Sequence, residues 1–209
     1  MKVFGFNITR EAKASAAGFT MVRNPGQPQW SGRDYAAFAR EAYSWNVVAF
    51  RSISMISEAV GRVDWDLWSG GDIVENPRLR ALWDRPNQEQ SGPEFLKAVT
   101  GYLLIAGNSY IEAVTGGGNE PVELWAKRPD LMKVIPGADG MPVAYEYKEN
   151  GRRFVFENGE IRHLKTFNPL NHFYGLSPVE PAMYGVDQHT EAQKWTQALL
   201  QNSAMPSGR

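Results

Sequence analysis

The sequence predicts an α+β fold, and three observations lead there. Apolar residues recur at helical spacing between Tyr43 and Gly107. After Gly107 the apolar period becomes two, over six successive short segments. Every gap between those segments carries turn residues and none carries a helical pattern, so the strands pair antiparallel instead of alternating with helices.

From the N-terminus, Met1 to about Arg33 shows weak periodicity and is rich in Ala, Ser, Gly and Pro. Residues 1–42 are read as an arm, partly irregular. Trp45, Val48, Ala49, Ile53, Ile56 and Val60 share one helical face, and Gly61 stops it. In "RVDWDLW", Val63, Trp65 and Leu67 alternate with Asp64, Asp66 and Trp68, which predicts a half-buried strand turned back at Gly70-Gly71 toward Ile73 and Val74. A short helical turn, "PRLRALW", ends before "RPN".

Ser91 and Glu94 then form an S-x-x-E capping box with Pro93 in the first turn, and Phe95, Leu96, Val99, Tyr102, Leu103 and Ala106 give a continuous apolar face. Gly107 closes this helix in a left-handed conformation. The strands follow as "NSYIEAV", "PVELWAK", "LMKVI", "PVAYEYK", "RRFVFEN" and "EIRHLK". In "SPVE", Ser177, Pro178 and Glu180 read as a second capping box, opening a helix that runs to about Asn202. Its middle, "DQHTEAQKWTQ", is too polar for burial in one core. "SAMPSGR" breaks it, and the chain reads as part of something longer.

A net charge of −1 gives no global pull toward nucleic acid or an anionic membrane. With no cysteine, disulfides and thiolate chemistry are excluded, which fits a reducing compartment. The N-terminus lacks a secretory signal, because Arg10, Glu11 and Lys13 interrupt any apolar core. No apolar run is long enough to span a bilayer. Phosphate binding at "TGGGNEP" fails on chemistry, since neither the Lys nor the following helix of a phosphate loop is present, and Gly116–Gly118 read as a hairpin turn. His163, His172 and His189 do not pair at metal-ligand spacing. His163 falls in a strand as a packed imidazole, His172 in an exposed loop and His189 on the polar helix. Arg78, Arg80 and Arg85, and also Arg152 and Arg153, read as solvated charges. No catalytic, cofactor or metal residues are assigned.

Several blocks together resemble the portal proteins of tailed phages, in particular the HK97-like family, which includes the portals of gene transfer agents. They are "NVVAFRSISMISEAVGRVDWDLW", "NPRLRALWDRPNQEQSGPEFLKAVTGYLLIAGNSYIEAV", "ELWAKRPDLMKVI", "EIRHLKTFNPLNHFYGLSPVEPAM" and "NSAMPSG". The motif positions are Ser91, Glu94, Gly107, Asn108, Tyr110, Ser177, Pro178 and Glu180.

The resemblance implies a non-enzymatic subunit of a closed ring, usually a dodecamer, forming the DNA channel at one capsid vertex. It implies contacts with capsid protein, terminase and head–tail connector proteins, and double-stranded DNA passing without sequence specificity. It also implies residence in the virion after assembly in the bacterial cytoplasm, with no membrane. Residues 43–176 would be the wing and 177–203 the first stem helix, with Asp187, Glu191, Lys194, Gln197 and Gln201 as channel candidates. Residues 204–209 would begin a clip region whose remainder is absent.

Two readings from other classes stand beside this one. One is a carbohydrate-binding module using Trp65, Trp68 and Trp125. The other is a metal-dependent hydrolase using Asp64 and Asp66.

Overall fold

A computed structural model describes residues 2–3, 6–7, 35–118, 120–138 and 140–201. The architecture is α+β, with five α-helices and antiparallel sheets among the described residues. Most of the expected arm lies outside the described residues. Within it, β1 (Lys2–Val3) pairs with β2 (Phe6–Asn7). Its last residues are helical: α1 begins at Tyr35–Ala37 and widens into a π-helical run over Phe38–Ser44. Phe38 and Ala42, one turn apart, are buried there, so the arm reading fails at this end because those two apolar groups enter the core.

The long helix α2 (Val47–Gly61) is capped by Asn46, whose Oδ1 accepts from Ala49 N at 3.0 Å. It runs antiparallel to α4 (Gly92–Ala106), as Lys97–Glu58 at 3.0 Å and the Gly61–Pro93 approach show. Of the apolar stripe expected to face inward, Ile53 is buried, Ala49 packs half-buried against the same core and Val60 is half-buried. The other buried residues are Ser54, Ser57 and Gly61, while Trp45, Val48 and Ile56 are exposed. Close approach explains the rotation: a Cβ on Gly61 would sit 2.8 Å from Pro93 O, so the small side chains of α2 take the contact with α4. Gly61 is therefore a packing glycine, and Arg62 caps the helix.

The strand expected over Val63–Trp68 does not form. Only β3 (Trp68–Ser69) and β4 (Asp72–Ile73) pair, across Gly70-Gly71. Helix α3 (Pro77–Asp84) follows, capped by Asn76. For α4 the expectation holds: the Glu94 carboxylate accepts from Ser91 N at 2.8 Å and Ser91 Oγ at 2.7 Å, and Gly107 caps at φ 72°.

The six expected strands all form. They are β5 (Asn108–Thr115), β6 (Pro121–Lys127), β7 (Met132–Pro136), β8 (Pro142–Glu149), β9 (Arg152–Glu157) and β10 (Ile161–Lys165). They divide into two sheets, ordered β10-β5-β6 and β7-β8-β9. Helix α5 (Val179–Gln201) comes last.

Two cores result. One gathers Phe38, Ala42, Ile53, Ile105, Val179 and Met183 among the helices. The other gathers Tyr110, Met132, Val134, Tyr145, Tyr147 and Ile161 from the strands.

Candidate assembly site

Between the two cores lies a joint built from the motif residues. Gly107 ends α4, and a Cβ on it would lie 2.5 to 2.7 Å from Leu176 C, Leu176 O and Ser177 N. On the other side, a Cβ on Gly175 would collide with Gly107 O. Two segments 68 residues apart therefore cross backbone to backbone, and only glycine fits at either crossing point.

Asn108 fills the angle beside them. Its Oδ1 accepts from Gly175 N at 2.7 Å and from His163 Nε2 at 3.0 Å. Its Nδ2 donates to Ala106 O and Gly175 O. Because an amide oxygen only accepts, the proton of His163 sits on Nε2. That ring stacks on Tyr110 at 4.2 Å between centroids. Burial first, then repulsion from Lys165, push the imidazole down to about 4 from 6.5, so it is neutral. Burial raises the Tyr110 hydroxyl above its ordinary value.

Thr166 closes the joint. Its N and Oγ1 donate to Gly107 O at 2.9 and 3.1 Å, and Oγ1 also reaches Leu176 O at 2.6 Å.

Ser177 differs from the expected capping box. Its Oγ accepts from Val179 N at 3.1 Å and donates to Ile105 O at 2.6 Å, while Glu180 N bonds Ser177 O. The hydroxyl thus ties the start of α5 to the end of α4, because Ile105 O is an unpaired terminal carbonyl within reach. A second tie lies further along α5. The buried Asn46 donates through Nδ2 to Val186 O, His189 Nδ1 and Thr190 Oγ1.

Helix α5 leaves the body after these ties. Val179, Met183 and Asp187 form one buried stripe at four-residue spacing. Asp187, expected on a channel surface, is only 9% exposed, because it continues that inward stripe. Glu191, Lys194, Gln197 and Gln201 are all exposed, and Glu191 pairs with Lys194 at 2.7 Å. Trp195 and Leu200 stand out from the same helix, 66% and 74% exposed.

Two depressions have largely apolar walls. A cleft of about 740 Å³ is walled by Trp65, Leu67, Ile73, Leu79, Trp83 and Leu124. A groove of about 430 Å³ runs between α2 and α5, past Val48, Ile56, Pro178, Ala182 and Val186. The arginines are solvated or paired, with Arg78 on Glu120, Arg80 on Asp84 and Arg153 on Glu146.

The two alternative readings find no assembled site. Trp65 belongs to the cleft and stacks edge-on against Trp83, whereas Trp125 is tied to Glu123 on β6. Asp64 and Asp66 are exposed, outside any strand, and among the described residues no group of three or more His, Asp or Glu could hold a metal ion. No described helix is long and apolar enough to cross a membrane.

This body resembles solved and curated proteins of one kind. It superposes on a chain in the neck of a native gene transfer agent particle computed with C12 symmetry, at TM-score 0.74 and 38% identity, covering 88% of this chain and 49% of that one. It is 31% identical over 106 residues to the portal protein of Enterobacteria phage HK97, covering 51% of this chain and 24% of that protein. An uncharacterized protein of Rickettsia bellii (strain RML369-C) is 31% identical over 176 residues, 80% of this chain and 45% of that protein. The chain thus spans about half the length of the relatives it matches most fully. Residues 47–209 match the phage portal protein family, and the chain belongs to that family.

Proposed function

We propose that this chain supplies the body and first stem helix of a portal subunit. The subunit assembles into a closed ring, a dodecamer, around the DNA channel at one capsid vertex. One observation carries the reading: 38% identity across 88% of the chain with a subunit of a twelve-fold symmetric particle neck. In this reading terminase docks on the ring during packaging and head–tail connector proteins dock afterwards. Assembly takes place in the bacterial cytoplasm against capsid protein.

The channel role falls to the outer half of α5. Glu191 and Lys194 cancel, and Gln197 and Gln201 are neutral. Such a surface lets a phosphate backbone slide, because each phosphate a protein neutralises tightens binding. The test is electron microscopy with light scattering on the full-length protein. Closed rings with a central channel are expected, and monomers at every concentration would refute the reading.

A further inference from the structure

Residues 62–80 hold Val63, Trp65, Leu67, Trp68, Ile73, Val74 and Leu79, yet every side chain described in this stretch is exposed. Apart from the first turn of α3, its only regular structure is the two-pair ribbon β3–β4. A ribbon that short is not stable alone. An apolar surface of this extent marks an interaction site.

Strand β10 forms the edge of the β10-β5-β6 sheet away from β6. The loop after β10 presents Phe167, 85% exposed, and Leu170, 92% exposed. Its backbone is already ordered: Asn168 Oδ1 accepts from Leu170 N at 2.9 Å, Asn168 Nδ2 donates to Tyr174 O at 3.0 Å, and Asn171 Oδ1 accepts from Phe173 N at 2.8 Å. A projection ordered before contact loses little entropy on docking. Leu124 of β6, at the opposite edge, lines the cleft. A cyclic ring needs this arrangement, with two different patches on opposite sides of each copy.

Charge follows the same division. Within residues 62–80 the acids Asp64, Asp66, Asp72 and Glu75 outnumber Arg62, Arg78 and Arg80, and Arg78 and Arg80 are paired with Glu120 and Asp84, while residues 161–174 carry Arg162 and Lys165 and no acid. Opposed charges of this kind orient two surfaces and set their register.

We propose that Phe167 and Leu170 of one copy insert into the Trp65–Trp83 cleft of the next copy. The inference rests on the ring reading above and names its lateral contact.

Residues 1–209 contain no cysteine, so with any cysteine outside them changed to serine a double variant Leu79→Cys/Leu170→Cys offers one thiol on each patch. A short bismaleimide applied to assembled full-length protein should give a ladder of covalent multimers on denaturing gels, and neither single variant should. Rings that form under the microscope without a ladder would overturn the contact and leave the ring reading intact. Failure of the unmodified protein to form rings would overturn both. Labelling of Leu79→Cys that is as slow in monomer as in ring would place a segment of the same chain in the cleft, and would also overturn the proposal. As a second arm, Phe167→Ser/Leu170→Ser should raise the concentration of half-assembly at least roughly ten-fold. Its melting temperature as a monomer should not change, because both side chains are exposed. Unaltered assembly in that variant would count against the contact as decisively as a missing ladder.

Discussion

Replacing Gly107 with alanine isolates the energetics of the joint. Gly107 has φ 72°, where a Cβ costs about 1–2 kcal/mol. The new methyl would also lie 2.5 Å from Leu176 C and 2.7 Å from Ser177 N, well inside contact distance. Backbone atoms cannot rotate away, so the two segments must separate. Separation strains the Thr166 bonds to Gly107 O and the Ser177 bond to Ile105 O. Overpacking of this kind costs about 1–3 kcal/mol more. The total is about 2–5 kcal/mol, or a fall of several degrees in Tm at roughly 2–4 °C per kcal/mol for a chain of this size.

Gly117 supplies the control. Its φ is 85°, but a Cβ there meets nothing within 4 Å, so Gly117→Ala should cost only the backbone amount, about 1–2 kcal/mol. Urea unfolding followed by circular dichroism, with m-values compared, gives both numbers. Equal losses for the two variants would show that the crossing at Leu176 contributes nothing and would refute the reasoning.

Three further outcomes follow from the same region. The His163 pKa is lower folded than unfolded, so the unfolded chain takes up the proton first; stability is full above pH 6.5, falls as pH drops toward 4 and is flat below. After allowance for solvent at the half-buried ring, the loss is about 1–2 kcal/mol, and urea melts at several pH values should show a smaller step in His163→Gln. Asn46→Ala should cost about 2–3 kcal/mol by removing both a helix cap and a buried clamp; Asn46→Asp keeps the cap oxygen but not the donor, and should selectively speed amide exchange around Val186–Thr190 of α5. Ser177→Ala should cost about 1–3 kcal/mol, read by thermal melting, because Ile105 O loses its partner inside the fold.

Where a structural choice is local, it was readable from the residues. The Ser91–Glu94 box, Gly107 and the alternation of each strand act within a few positions, and all six strands appear. Elsewhere the outcome depends on partners distant in the chain. Strand β10 returns to pair with β5, and Gly175 crosses Gly107, with no signal near either. The orientation of α2 departs from its apolar pattern because the small residues Ser57 and Gly61 face α4, which a count of apolar residues passes over. The alternation in Val63–Trp68 points to a strand, but among the described residues no strand lies alongside to receive it. Ser177 was recognisable as a start signal; that its hydroxyl would reach across to Ile105 was not. Asp187 looked like surface because it is charged, yet it lies one turn beyond Met183 on the inward stripe.

The bond from Ser177 to Ile105 places the amino end of α5 against the carboxyl end of α4. Partial charges at those two ends are opposite, positive on α5 and negative on α4, so the macrodipoles meet head to tail. Salt screens such a contact poorly, since Ser177 and Ile105 are both buried. A push along α5 therefore passes directly into α4 and on to the turn at Ser91, so the two helices act as one strut with a bend in it.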